Sequence, residues 1–183
     1  MRLAYGLVGA WLAVLLATES ARADVPPKLN AGFGDAYRDG YVFVLWGDTP
    51  PKRLSAMLDR IKQSGSKHLT IPYWGCQTGL STSDVGACEV FRRAPAPEIA
   101  AQALRKGFTV SYLPIVVTPT WEWRGFFDPV DVDGWFRTYT AWIQKIALDA
   151  QQQGMKELVV GSEMTLLYRH EARWTKLMQD LRA

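Results

Sequence analysis

Short apolar runs alternate along most of this chain with stretches in which apolar residues recur every three or four positions. The first run, residues 41–46, is aromatic and β-branched and is bounded by glycines, so it predicts a buried strand. Similar runs follow at residues 68–74, 108–117 and 157–161. Strands that are apolar on both faces are typical of a parallel sheet covered by helices.

The stretches with the longer spacing predict four amphipathic helices. The first two begin at Pro51 and Pro97, the third covers about residues 130–153, and the last runs to the end of the chain. Glycines predict the ends of the first three helices: Gly65, Gly107 and Gly154. The resulting order, β-α-β-α-β-α-β-α, indicates an α/β fold with one layer of parallel strands.

Four βα units fit two architectures. They form either an open, doubly wound sheet or the first half of an eightfold barrel. A complete barrel takes about 250 residues, and this chain has 183. The hydrophobic pattern does not distinguish the two arrangements.

The first residues of the chain have the pattern of an export signal. Arg2 supplies a positive charge, residues 3–17 are largely apolar, and residues 21–23 read Ala-Arg-Ala, the small-x-small pattern of a cleavage site. We predict a signal peptide over residues 1–23, a (β/α)4 domain over 24–183, and export to the periplasm or the cell exterior. The alternative is an uncleaved anchor, although the apolar run is shorter than the roughly 20 residues that span a membrane.

The only cysteines, Cys76 and Cys88, lie in one segment rich in Gly, Ser and Thr. An oxidising compartment favours a disulfide between them. The alternative is a metal site, but two cysteines without a nearby histidine make a poor ligand set. We therefore predict the disulfide and no bound metal.

Composition excludes several classes of protein. A hydrophobic content of 48% excludes a disordered chain. The net charge is +3, from 21 Lys and Arg against 18 Asp and Glu, and no basic cluster accompanies it, so we expect no nucleic-acid partner. No nucleotide-binding glycine motif is present, and we expect no cofactor. Eight tryptophans are many for this length, and tryptophan suits both cores and sugar surfaces.

In either architecture, functional groups gather at the carboxyl ends of the strands. Glu163 directly follows the fourth predicted strand, and a carboxyl group at that edge among aromatic rings is suited to general acid catalysis. The alternative is structural, with Ser162 as a helix N-cap and Glu163 in the first turn. Trp121 and Trp123 lie in the loop after the third strand and are candidates for sugar contacts.

Five stretches of the sequence share their order and spacing with a known family. They are residues 106–114, 124–129, 135–139, 146–147 and 158–164. The last of them is Leu-Val-Val-Gly-Ser-Glu-Met, which ends the fourth predicted strand. Taken in order, these stretches resemble glycoside hydrolase family 113, over about residues 40–183. The family belongs to a clan of retaining (β/α)8 glycosidases and contains secreted β-mannanases.

The resemblance implies that the four βα units are the first half of a (β/α)8 TIM barrel. It implies that Glu163 is the acid/base of a retaining glycoside hydrolase that acts on a β-linked polysaccharide or oligosaccharide, with β-mannan as one candidate. It also implies a cleft lined by aromatic residues from the strand ends and loops. These residues are Trp46, Tyr73, Trp74, Trp121 and Trp123.

The sequence departs from the pattern of the clan in two ways. Ser162 stands where asparagine usually precedes the glutamate, which leaves the contact to the sugar 2-hydroxyl unassigned. The nucleophile of the clan comes from strand seven, a position beyond Ala183, so we expect these residues to be inactive alone.

The alternative is a non-catalytic exported half-barrel that binds glycan or a partner. If the chain naturally ends at Ala183, its open sheet edges predict self-association or pairing with a second half-barrel.

Overall fold

The computed structural model describes residues 40–45, 50–88 and 96–182. The predicted signal peptide, residues 1–23, lies outside them. The elements are β1 (Gly40–Val42), α1 (Pro51–Gln63), β2 (His68–Cys76), β3 (Gly86–Ala87), α2 (Ala96–Arg105), β4 (Thr109–Val117), α3 (Val132–Gln152), β5 (Glu157–Leu158) and α4 (Glu171–Asp180). Short 3₁₀ helices follow β4 and β5, at Arg124–Phe126 and Leu167–Arg169.

The main strands are parallel and lie in the order β1-β2-β4-β5, while β3 pairs antiparallel with the end of β2. Each main strand therefore lies beside the one that precedes it in the chain. A doubly wound sheet reverses its strand order at a switch point, and the described sheet has no such reversal. The order is that of consecutive βα units in a barrel.

Two prolines lie inside the central strands without costing a ladder bond. In a parallel sheet, successive residues of a central strand form their backbone hydrogen bonds in turn with the strand on one side and the strand on the other. The Tyr112 carbonyl accepts from Val159 N at 3.0 Å, on the β5 side, so Pro114 faces the same side just past the paired residues of β5. Pro72 lies in the same way past the end of β1, because the Thr70 carbonyl bonds on that side. The missing N–H groups thus fall where the outer strands stop pairing.

The helices cover one face of the sheet. Alternate side chains of β2 and β4 point to that face and join side chains of all four helices in one core. The strand residues in this core include Leu69, Ile71, Val110, Tyr112 and Val116. The opposite face carries a separate cluster, composed of Trp74, Cys76, Cys88, Leu113, Ile115 and Val117.

Helix α3 supplies the largest part of the core. Its N-cap is Asp131, whose side chain accepts from Gly134 N at 2.8 Å. Trp135 and Tyr139 stack with ring centroids 4.6 Å apart, and both meet the ring of Trp174 from α4. The aromatic residues that keep helical spacing in the sequence are therefore core residues, as the pattern predicts.

The predicted helix ends are confirmed by backbone geometry. Glycines with φ between +74° and +88° follow α1, α2 and α3: Gly65, Gly107 and Gly154. In the described ranges, none of the helices is long and apolar enough to cross a membrane.

The outer strands are shorter than the sequence predicts. In the described part of the run at 41–46, residues 43–45 follow the strand Gly40–Val42 without continuing it, and the run at 157–161 forms a strand only over Glu157–Leu158. Among the described residues, each pairs with a neighbour on one side alone, so fewer ladder bonds hold it. Strand β3 was not predicted, because Gly-Ala carries no strand signal.

Gly75 of β2 lies directly beneath α3, since a Cβ atom there would be 2.6 Å from the Trp142 ring. We expect Gly75→Ala to lower the free energy of unfolding of the full-length protein by about 1–3 kcal/mol, measured by urea denaturation. The control is Gly86→Ala in β3, where a Cβ meets nothing within 4 Å, and we expect a change within about 0.5 kcal/mol. Equal effects of the two substitutions would contradict this packing.

Candidate active site

The carboxyl ends of β2, β4 and β5 lie along one edge of the sheet because these strands are parallel. Three loops extend from that edge: residues 77–85, 118–131 and 159–170. They contain Trp121, Trp123 and Glu163, which the sequence singles out. The geometry of this edge therefore decides which of the predicted site residues come together.

The loop after β2 is closed by a disulfide. Cys76 and Cys88 are bonded, with Cα atoms 4.9 Å apart, and β3 runs back beside the end of β2. Gln77 is buried, and its side-chain oxygen accepts from Trp135 Nε1 at 2.9 Å. The loop is therefore fixed both to its own strand and to α3.

A second set of bonds stiffens the tip of the same loop. The Asp84 carboxylate accepts from the backbone N–H of Thr78 at 3.2 Å and from its hydroxyl. Burial acts to raise the pKa of Asp84, but hydrogen bonds from Thr78 and Thr82 outweigh it and hold the pKa below its usual value. The carboxylate thus serves as an internal acceptor of the loop.

The loop after β4 turns sharply at Trp121. The carbonyl of buried Thr118 accepts from Trp121 N, and its hydroxyl accepts from Glu122 N, both at 3.1 Å. Trp121 has a φ of +58°, a left-handed conformation that is uncommon for a residue other than glycine. Its ring is about half exposed and meets Trp74 of β2 edge to face, with centroids 6.3 Å apart. Two of the predicted cleft residues therefore form one aromatic pair.

Trp123 forms a second aromatic pair further along this loop. Its ring meets Phe126 edge to face, with centroids 5.0 Å apart, and each is about half exposed. Its indole lies over Gly125, where a Cβ would be 2.6 Å from the ring. Only glycine leaves room for the indole in this position.

Glu163 follows β5 in a loop, with a φ of +56° and an exposed carboxyl group. The next residue, Met164, is fully buried, so the backbone on that side of Glu163 is anchored in the core. No α-helix begins here, because α4 starts at Glu171. The interpretation of Ser162 and Glu163 as a helix N-terminus is therefore wrong.

Arg124 contacts Glu163 directly. Its Nη1 lies 3.3 Å from Glu163 Oε2, and its side chain is mostly buried. The loops that carry the two residues are also joined by a backbone bond, Leu166 N to Gly125 O at 3.2 Å, and by an ion pair between Asp128 and Arg169. Sequence reasoning gave Arg124 no role, because a single arginine in a loop has no characteristic spacing.

Tyr73 lies away from this group of residues. Its ring points to the helix-covered face and contacts Tyr112 and Trp142, with centroids 5.2 and 6.3 Å away. Burial and the Asp149 carboxylate raise its pKa. The structure thus separates Tyr73 from Trp74, its neighbour in the strand. Trp46 lies outside the described residues.

The described part of the chain holds no group of three or more His, Cys, Asp or Glu side chains that could bind a metal ion. His68 lies at the start of β2, whereas His170 is the last residue of the loop that follows β5. His68 bonds to the Thr109 hydroxyl through Nδ1 at 2.9 Å. His170 contacts the Phe136 ring, and desolvation together with Arg169 and Arg173 lowers its pKa.

The arrangement combines an exposed carboxyl group with two loop tryptophans that are about half exposed. Aromatic faces bind the apolar faces of sugar rings, and a carboxyl group beside a bound sugar can exchange a proton with the glycosidic oxygen. Retaining hydrolysis also requires a second carboxylate, about 5–5.5 Å from the first.

The solved structures that are similar to this fold include two β-mannanases. A GH113 β-1,4-mannanase matches with a TM-score of 0.61 and 21% identity, over 70% of this chain and 46% of the mannanase. The GH113 β-mannanase AaManA from Alicyclobacillus acidocaldarius, in complex with ManMIm, matches with a TM-score of 0.67 and 20% identity, over 79% of this chain and 50% of that enzyme. The chain therefore spans about half the length of these mannanases.

The structural likeness is evidence of fold, and the described sheet corresponds to part of a TIM barrel. Among curated protein sequences, none matches this chain significantly. The model of Glycoside Hydrolase Family 113 matches residues 47–183, which is most of the sequence. This chain therefore belongs to glycoside hydrolase family 113.

Proposed function

We propose that this chain supplies the acid/base part of a retaining glycoside hydrolase that acts on β-linked polysaccharide, with β-mannan as the first candidate substrate. The observation that carries the proposal is the position of Glu163, exposed in the loop that follows β5, the fourth main strand of the sheet. The structural neighbours are β-mannanases, which supports the choice of substrate.

In the first step, a carboxylate nucleophile attacks the anomeric carbon while Glu163 gives its proton to the departing glycosidic oxygen. The glycosidic bond breaks, and a glycosyl–enzyme ester forms. In the second step, ionised Glu163 takes a proton from water as the water attacks the anomeric carbon and releases the nucleophile. We propose that the nucleophile comes from outside these four βα units, and that residues 40–183 alone are inactive.

Trp121 and Trp123 are the proposed sugar-binding surfaces. Their rings are 53% and 49% exposed, although large apolar rings are usually covered in a folded protein. Trp74 supports the first ring and Phe126 the second, both edge to face. Rings held in this way lose little conformational entropy when a sugar stacks on them.

The second candidate function is glycan binding without catalysis. The exposed tryptophans favour it, because stacking on a sugar does not require Glu163. Hydrolysis and binding measured on the same variants separate the two functions.

We expect Glu163→Gln to lower kcat/KM on β-mannan oligosaccharides by about 10²–10⁴-fold, in a full-length protein that contains the nucleophile as well as these four βα units. The loss should be much smaller on a dinitrophenyl β-mannoside, because that leaving group departs without protonation. Glu171→Gln, an exposed glutamate at the start of α4, is the matched control and should leave both rates nearly unchanged.

The glycan-binding candidate makes the opposite prediction. In that case Glu163→Gln would leave every measured property unchanged, whereas Trp121→Ala and Trp123→Ala would weaken retention on a mannan affinity gel. That combination would exclude the catalytic role of Glu163.

We also propose that the protein is exported after removal of residues 1–23. The signal-like sequence supports this proposal, and so does the Cys76–Cys88 disulfide, since disulfides persist in oxidising compartments. Peptide mapping of the protein from its host should find an N-terminus at Asp24 and, without reduction, a linked peptide pair containing both cysteines. Recovery of peptides from residues 1–23, or of free thiols, would contradict the proposal.

A further inference from the structure

We infer that Arg124 is a positioning residue for Glu163: its guanidinium holds one carboxyl oxygen, Oε2, and so directs the other, Oε1, toward the glycosidic oxygen. This inference rests on the proposed function. The contact that carries it is the 3.3 Å approach of Arg124 Nη1 to Glu163 Oε2.

Arg124 is held more firmly than an arginine in a surface ion pair. Its side chain is only 18% exposed, whereas that of Glu163 is 58% exposed. It opens the 3₁₀ helix Arg124–Phe126, and the Gly125 carbonyl is bonded to Leu166 N in the Glu163 loop. A mostly buried guanidinium thus lies beside an exposed carboxyl group.

The burial of Arg124 has a cost. Among the described residues, its Nε is one of two buried side-chain polar atoms without a hydrogen-bond partner. A buried donor without a partner destabilises a fold. The presence of Arg124 beside an exposed glutamate is therefore better explained by the contact with Glu163 than by stability.

The catalytic cycle explains why Glu163 needs a fixed partner. An exposed glutamate can adopt many side-chain conformations, and proton transfer requires one of them. With Oε2 held by Arg124, Oε1 is left to deliver the proton in the first step and to accept one from water in the second. An arginine suits a mostly buried ion pair better than a lysine, because its delocalised guanidinium is more weakly hydrated than an ammonium group.

A double-mutant cycle on the full-length protein tests the inference. Arg124→Ala, Arg124→Lys, Glu163→Gln and the double variant Arg124→Ala/Glu163→Gln are compared on a β-mannan oligosaccharide and on a dinitrophenyl β-mannoside. Arg169→Ala is the matched control, because it removes the ion pair to Asp128 that joins the same two loops without touching Glu163.

If Arg124 acts through Glu163, Arg124→Ala lowers kcat on the oligosaccharide by about 10- to 100-fold and changes the activated substrate little. Arg124→Lys recovers part of the loss. In the Glu163→Gln background, loss of Arg124 has almost no further effect. Arg169→Ala shows no such difference between the two substrates.

Equal losses on both substrates for Arg124→Ala would indicate a structural role and overturn the inference. The inference would also be overturned if the losses from Arg124→Ala and Glu163→Gln simply added in the double variant. A large effect of Glu163→Gln with none from Arg124→Ala would overturn the inference and leave the proposed function standing. A wild-type protein that contains the nucleophile as well as these four βα units, and that hydrolyses neither substrate, would overturn both.

Discussion

Three buried aromatic side chains hold the loops of the candidate site to the core. Trp135 bonds to Gln77 after β2, Tyr139 bonds to the Val160 carbonyl after β5, and Trp174 bonds to the Leu167 carbonyl in the same loop, each at 2.9 Å. The rings lie among the helices, whereas their polar atoms reach the carboxyl edge of the sheet. Because a buried N–H or O–H group needs a partner, these bonds fix the positions of the loops.

The position of Glu163 follows from this constraint. Val160 is bonded before it, and Met164 is buried after it, so the chain between them must turn within a few residues. The left-handed backbone of Glu163 is the local consequence, and such conformations cost of order 1–3 kcal/mol where the surrounding structure imposes them. The turn leaves the carboxyl group exposed at the edge, within reach of Arg124. A rigid helix layer thus determines where one surface carboxylate lies.

The hydrophobic pattern predicted β2, β4, all four helices and the core aromatic residues, because each of these follows from spacing along the chain. It also identified Glu163, which directly follows the fourth predicted strand, although the strand itself ends at Leu158. It could not determine which strand residues face the helices, since buried parallel strands are apolar on both faces. The family resemblance assigns both Tyr73 and Trp74 to the cleft, whereas the two side chains lie on opposite faces of the sheet. The contact between Arg124 and Glu163 could not be predicted from the sequence. It joins loops that follow different strands, so it leaves no pattern along the chain.

Membership of glycoside hydrolase family 113 and the similarity to half of a mannanase fold assign a family and a fold to the chain. The proposed reaction is tested at Glu163. The most direct measurement is the product that full-length Glu163→Ala forms from a dinitrophenyl β-mannoside in the presence of azide. A variant without the acid/base still forms the glycosyl–enzyme ester, with inversion at the anomeric carbon. Azide attacks this ester without general-base assistance and inverts the carbon again, so we expect β-mannosyl azide. Formation of α-mannosyl azide would identify Glu163 as the nucleophile instead, and hydrolysis at the wild-type rate without an azide product would contradict any catalytic role for Glu163.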